Sequence, residues 1–232
     1  ISDELNLSDT ETAWLGLPLA LFYVVMGIPL SWLCDRTNRR NLLAASVAVW
    51  SFMTAITGYT RGYFDLLLAR VGVGIGEAGG SPPSHSMISD IFPPNRRATA
   101  LGFYSTGVSF GILFGFLFGG WLNEYFGWRT AFLVVGIPGV FLSGLIMLTL
   151  REPTRGLIEQ KTVTAESVPL KKVIQTLWES RTFRHLSLAA SLNAFSGYST
   201  ASWTASFMIR SHEMSTGELG TWPAIIIGLC GA

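Results

Sequence analysis

The sequence predicts an all-α, polytopic membrane protein. Three observations carry this. Apolar residues make up 49% of the 232 positions and charged residues only 13%, against about 25% charge in an ordinary soluble domain. The apolar residues fall in blocks of about 20, the length that spans hydrocarbon as a helix. The basic residues gather in alternate connections, which is the asymmetry that orients a chain across a bilayer.

The blocks are Ala13–Leu33, Asn41–Thr60, Phe64–Ile91, Ala98–Leu122, Arg129–Leu150, Phe183–Ile209 and a last one from Leu219 onward. They are apolar nearly all round, as helices in lipid are. Pro18, Pro29, Pro82, Pro83 and Pro138 lie inside them, and membrane helices tolerate such prolines where neighbours satisfy the freed backbone groups. The first block follows Ser8-x-x-Glu11 and the last follows Ser215-x-x-Glu218. Both are capping boxes, and two like helix starts suggest two halves of a duplicated bundle. The chain opens on Ile1 and closes inside an apolar run, and it reads as a fragment cut at both ends.

Arg36, Arg39 and Arg40 occupy one connection, Arg96 and Arg97 another, and six basic residues a third, 151–182. Arg61, Arg129 and Arg210 stand alone in the other three. The arginine-rich connections are therefore expected to face the cytoplasm, with Trp14, Trp121, Tyr125 and Trp128 near the outer interface. This gives a multi-pass integral membrane protein, in a bacterium of the cell (inner) membrane. Three parts are expected: 1–150 as a first bundle, 151–182 as a cytoplasmic linker and 183–232 as the start of a second bundle. Within the linker, Leu170, Val173, Ile174, Leu177 and Trp178 recur at helical spacing opposite Lys171, Lys172, Gln175 and Glu179. That pattern predicts a short amphipathic helix, lying on the membrane surface or packed on the bundle.

Net charge is +1, which names no polyanionic partner, so no nucleic acid is expected. Cys34 and Cys230 lie in or beside apolar segments and form no metal pattern, and no cofactor is expected. No nucleophile–base pair stands out either, and Gly72-x-Gly74-x-Gly76 sits within an apolar span rather than after a strand, so it is no nucleotide loop. An enzyme is not expected. The partners expected are membrane lipids and a small amphipathic or anionic substrate, with the protein a monomer.

Arg70 and Glu77 stand seven residues apart in the third apolar block. That is two helical turns, so the two lie on one face, about 10 Å apart along the axis. A charge inside a bilayer costs several kcal/mol unless paired or wetted. Two on one face point to the wall of an aqueous cavity. There Glu77 can load and release a proton, with Arg70 tuning it; the alternative is a static ion pair. Arg70 can also bind an anionic head group through its guanidinium fork. In the sixth block, Asn193, Thr200 and Trp203 share roughly one face and are candidates for a substrate wall, unless the polar residues there bond back to their own helix. His85, past Pro83, is a candidate for titration or a structural residue. Gly107, Gly111, Gly115 and Gly119, and likewise Gly72, Gly76 and Gly80, recur every four residues and are expected to be packing seams.

Several of these pieces resemble one family. Ser31-Trp-Leu-Cys-Asp35-Arg36-Thr-Asn38-Arg39-Arg40 is similar to the signature between the second and third helices of the major facilitator superfamily, Gly-x-Leu-Ala-Asp-Arg-x-Gly-Arg-Arg. Ser31, Cys34 and Asn38 depart from it, and Asn38 resembles the spinster branch. Arg70-Val-Gly72-Val-Gly74-Ile-Gly76-Glu77-Ala78, then Pro82-Pro83 and Asp90-Ile-Phe-Pro93, is similar to the fourth helix of spinster-like transporters. Gly127-Trp128-Arg129 is also common there. The resemblance implies a major-facilitator-type bundle from helix two to the start of helix eight. It implies secondary active transport by alternating access, with the proton as coupling ion. The substrate it implies is a lipid-like amphipathic solute of the lysolipid or sphingolipid type. Related anion symporters share Gly-x-Gly-Glu-Ala, so a symporter of small organic anions such as sugar acids is the alternative, and an uncoupled facilitator a further one. The resemblance also implies a cytoplasmic gate of Asp35, Arg36, Arg39, Arg40 and Asp90, in which Arg39 or Arg40 reaches Asp90.

Overall fold

The computed structural model describes residues 1, 4–156, 158 and 170–230, and the described residues that form regular structure are helical. Much of the linker, 159–169, therefore lies outside the described residues, as do the side chains at Lys171, Ser202 and Cys230. The helices are α1 (Asp9–Trp14), α2 (Gly16–Arg36), α3 (Arg39–Thr57), α4 (Tyr63–Ala78), α5 (Ser81–Ile91), α6 (Pro94–Thr149), α7 (Leu170–Glu179), α8 (Arg181–His212) and α9 (Thr216–Cys230).

Local chemistry sets the boundaries. At α1, the Glu11 amide donates to Ser8 Oγ at 3.2 Å and the Ser8 amide donates to Glu11 Oε2 at 2.9 Å, so the first capping box is formed. α2 ends at Thr37, whose extended backbone breaks the helix, and α3 starts under the side chain of Asn38, which accepts from the Asn41 amide at 3.0 Å. The single block expected over Phe64–Ile91 is two helices. The path turns at Gly79-Gly80, and Pro82 stands in the first turn of α5, where a missing N–H costs nothing.

The blocks Ala98–Leu122 and Arg129–Leu150 were expected to be separated by a loop. Instead one residue divides them: Gly127, at φ 79° and ψ 161°, interrupts α6. That region is open to glycine and strained for any other residue. A 56-residue helix would run about 84 Å, far more than the roughly 30 Å of hydrocarbon, so the break turns one helix into two crossings. On length and composition, Asp9–Arg36 and Pro94–Thr149 are the stretches among the described residues that can cross a membrane.

The chain divides into two compact units, Ile1–Lys161 with Thr216–Ala232, and Thr162–Ser215. In the first, α3 is the central helix, packed on α4 and on the second arm of α6. Glycines set that approach. A Cβ at Gly76 would lie 2.6 Å from the Trp50 nitrogen, one at Gly72 2.5 Å from Met53, and one at Gly136 2.5 Å from the Ala55 nitrogen. The seam expected at Gly72, Gly76 and Gly80 is thus a packed one. The seam expected at Gly107, Gly111, Gly115 and Gly119 is not: a Cβ at any of these four meets nothing within 4 Å. The glycine that packs on this arm is the next one, Gly120, against Gly220 of α9. Trp121 Nε1 also donates to Thr221 Oγ1 at 3.1 Å, and the Gly217 amide donates to the Glu124 carboxylate. These contacts put α9 in the first unit, whereas the sequence boundaries group it with the second bundle.

In the second unit, α7 is the helix foreseen from its apolar spacing, with Ile174 and Trp178 exposed. The long α8 follows, capped by Ser180, whose Oγ accepts from the Phe183 amide at 3.3 Å.

Candidate functional site

Arg70 and Glu77 lie on α4, held there by the glycines that seat this helix on α2 and α3. No ion pair joins them. Arg70 is half-buried, and its guanidinium carbon stands 5.8 Å from the centre of the Phe132 ring on the second arm of α6, within reach of a cation–π attraction. Glu77 is exposed, with Ala78, Gly79 and Gly80 buried on the other side. The two charges act on each other through space without touching. A carboxylate and a guanidinium are thus presented on one helix face, each open to a further partner.

At the other end of α4–α5, the residues expected at the gate separate into those brought together and those left apart. Arg39 is 1% exposed and uses its whole guanidinium. Nη1 donates to Asp90 Oδ2 at 2.5 Å and to Ser86 Oγ at 2.9 Å, Nε donates to Glu152 Oε1 at 2.7 Å, and Nη2 donates to the Pro153 carbonyl at 2.7 Å. Burial works against this charge, but the Asp90 and Glu152 carboxylates more than offset it and hold Arg39 above the ordinary arginine value. The second oxygens of both acids are also taken: Glu152 Oε2 accepts from the Arg40 amide at 2.9 Å, and Asp90 Oδ1 from the Gly156 amide at 3.2 Å.

Arg40 does not reach Asp90; its side chain donates to Asn41 Oδ1. Arg36 lies over the Trp32 ring, 4.0 Å from its centre. Asp35 contributes its carbonyl rather than its carboxylate, accepting from Arg155. Arg155 donates as well to the carbonyls of Cys34 at 2.7 Å and Thr37 at 2.6 Å, so it caps the C-terminus of α2. Sequence reasoning missed Ser86, Glu152 and Arg155 as members of this cluster. The signal was present in Arg151-Glu-Pro-Thr-Arg155, a charged run straight after an apolar block, which was read only as topology.

The far end of the unit carries a second cluster. Trp128, expected at the interface, is 8% exposed, and its Nε1 donates to Glu4 Oε2 at 2.5 Å. Arg129 pairs with the same carboxylate, stacks 4.2 Å from the Trp128 ring and donates to the Thr60 carbonyl at 3.0 Å. The Trp128 hydrogen bond first, and then Arg129, hold the Glu4 carboxyl below its usual range. A depressed acid contributes stability above its unfolded pKa and loses it as pH falls through the folded one. Glu4→Gln is therefore expected to lower the midpoint of thermal unfolding at pH 7, and the difference from wild type should vanish in acid below the folded pKa. A difference that persists unchanged at low pH would show that the carboxylate charge is not what holds this corner.

The substrate-wall candidates Asn193, Thr200 and Trp203 all lie on α8 in the second unit, and all three are exposed. Among the described residues no group of three or more His, Cys, Asp or Glu side chains is placed to hold a metal ion.

Comparison with known proteins bears on the whole chain. The model of the Major Facilitator Superfamily matches residues 1–232. An MFS-type efflux pump from Mycolicibacterium smegmatis is 31% identical over 235 residues, covering 100% of this chain and 53% of the relative. A probable L-galactonate transporter from Escherichia coli is 30% identical over 207 residues, 88% of this chain and 46% of the relative. Among solved structures, a bacterial homologue of the human lysosomal transporter Spinster, inward-facing and unoccupied, is 36% identical with a TM-score of 0.84, over 99% of this chain and 54% of that one. The chain spans about half the length of the relatives it matches.

Proposed function

This chain belongs to the Major Facilitator Superfamily, with a spinster-like character, and from that premise we propose a specific activity for the protein it forms. It is a secondary active transporter working by alternating access, coupled to protons, and its substrate is a lipid-like amphipathic solute. The observation that supports this most is the state of Glu77. An acid within an apolar block of a membrane protein is costly unless it is paired or wetted, and here Glu77 is neither paired nor hydrogen-bonded by any described residue, while Arg70, seven residues earlier, stands beside the Phe132 ring. Such an acid is free to take up and release a proton, and such a guanidinium is free to meet an anionic head group. The lipid-like substrate rests on the resemblance of the Arg70–Pro93 motif to spinster-like transporters, and the likeness to a solved homologue of the transporter Spinster agrees with that branch.

A second reading has its own support. The galactonate relative and the same Arg70 guanidinium fit a proton-coupled symporter of small organic anions, since a carboxylate needs the fork as much as a phosphate does. In the gating cluster, Arg39, Asp90 and Glu152 act as the latch that must open and close with each cycle, and Asn193, Thr200 and Trp203 contribute to the substrate wall.

One experiment separates these. Full-length protein in liposomes is given lysophosphatidylglycerol or galactonate, and proton flux is recorded for wild type and Glu77→Gln. Flux driven by the lysolipid and reduced about a hundredfold in Glu77→Gln is expected, the scale of losing a positioned proton carrier. Equal flux in the two proteins would sink the coupling role of Glu77. Flux driven by galactonate alone moves the substrate to the second reading, and substrate movement with no proton flux leaves an uncoupled facilitator.

A further inference from the structure

Arg70 and Phe132 belong to α4 and to the second arm of α6, two helices that each pack on α3. The backbone around Phe132 is seated on α3 at two levels. A Cβ at Gly58 would lie 2.6 Å from the Arg129 carbonyl oxygen, and one at Gly136 2.8 Å from the Ser51 carbonyl oxygen. Phe132 stands between these levels, one turn before Gly136. Its ring is fixed from the Trp128 side: the two ring centres are 6.2 Å apart with planes at 85°, an edge-to-face contact. Trp128 is itself buried, and its Nε1 donates to Glu4. The ring beside Arg70 is therefore a fixed object, with the guanidinium carbon 5.8 Å from its centre.

A ring does something for Arg70 that an acid would not. A carboxylate partner would neutralise the charge and occupy two of its N–H groups. An aromatic ring attracts the cation through its quadrupole and leaves the charge intact. Arg70 donates no hydrogen bond to any described residue, so its donors stay open while the side chain is held. A long side chain normally loses rotamer freedom when a ligand binds, at a cost in affinity. A guanidinium that is already held, yet not neutralised, is pre-organised to meet an oxyanion with its fork.

We propose that Phe132 is a positioning residue for anion recognition: braced by Trp128, it holds Arg70 in place for the oxyanion group of the substrate, a carboxylate or a phosphate. This inference rests on Arg70 as the group that meets the anion and deepens that reading. It does not depend on Glu77 carrying a proton.

The test uses full-length protein in liposomes. Uptake of labelled lysophosphatidylglycerol and of labelled galactonate is followed against concentration for wild type, Phe132→Leu, Phe132→Tyr and Arg70→Gln. Saturation by the lysolipid makes the bound oxyanion a phosphate, and saturation by galactonate makes it a carboxylate. Phe132→Leu is expected to raise KM about three- to tenfold, the scale of one side chain that must be ordered on binding, with kcat within about twofold of wild type. Phe132→Tyr keeps the ring and is expected to keep the wild-type KM, and Arg70→Gln to raise KM at least as far as Phe132→Leu. A wild-type KM in Phe132→Leu, with Arg70→Gln impaired, overturns this inference alone. Equal losses in Phe132→Leu and Phe132→Tyr, or a fall in kcat at unchanged KM, make Phe132 a packing residue and also overturn it. A wild-type KM in Arg70→Gln overturns the reading of Arg70 and this inference with it, as does the absence of saturable uptake of either solute by wild type.

Discussion

Arg39→Ala is expected to destabilise the first unit by about 3 kcal/mol, at the low end of the cost of breaking a buried ion pair because both carboxylates keep some access to water. The side chain makes four hydrogen bonds while 1% exposed. Asp90 and Glu152 are 16% and 24% exposed, so alanine leaves two poorly hydrated carboxylates facing each other across a hole. Arg39→Lys is expected to recover only part of the loss. An ammonium is a point charge with three donors and cannot serve both acids, the Ser86 hydroxyl and the Pro153 carbonyl from one place. Thermal unfolding of the full-length protein in detergent reads both. An Arg39→Ala midpoint within a degree or so of wild type would mean the cluster contributes nothing to stability. The same variant removes two of the three hydrogen bonds that tie residues 152–156 to α3, leaving the Arg40 amide on Glu152, so proteolysis after Arg155 should become faster in step with the lost stability.

Gly76→Ala is expected to cost about 2 to 3 kcal/mol, and Gly76→Leu to prevent folding. The added methyl would stand 2.6 Å from the Trp50 nitrogen and 2.9 Å from its Cα. Both are backbone atoms of the central helix and cannot rotate aside, so α3 and α4 must separate along their length, which is the overpacking penalty at its larger end. Gly107→Ala supplies the contrast. Its Cβ meets nothing, and alanine favours a helix over glycine by about 1 kcal/mol, so this variant is expected to be neutral or slightly stabilised. Equal losses at the two positions in the full-length protein would mean that residues outside 1–232 cover the Gly107 stripe. Equal tolerance at both would mean that α3 and α4 are not in close contact.

How much of this was legible in the sequence depends on the range of the interaction. Helix identity was legible because apolar blocks, capping residues and Pro82-Pro83 act within a few residues. The capping box at Ser8 formed as its spacing requires. The break of α6 at Gly127 was less so, because a loop and a one-residue kink leave the same trace in hydropathy. The two glycine series looked alike, yet one is packed and the other open, since spacing says that a helix can be approached closely and not that anything approaches it. In the cluster around Arg39, its contact with Asp90 was foreseen by resemblance. Glu152 and Arg155 were not, because their partners lie more than a hundred residues earlier. The same holds for Glu4 with Trp128. The Arg70–Glu77 face followed from helical geometry, but its lack of an ion pair could be known only once Phe132 was seen to occupy the space beside Arg70.

The run from Glu152 to Gly156 has a mechanical side. It leaves the end of α6 and is at once fastened: Glu152 to Arg39 and Arg40, Pro153 to Arg39, Arg155 to three carbonyls at the end of α2, Gly156 to Asp90. Tension applied from the residues that follow would not be felt first at the last turn of α6. It would be delivered to the turn between α2 and α3 and to the tail of α5, as a rope belayed round a post loads the post. Residues 152–156 are thus tied to a place where α2, α5 and α6 end together. The hydrogen bonds of residues 152–156 act side by side, so such a pull is shared among α2, α3 and α5.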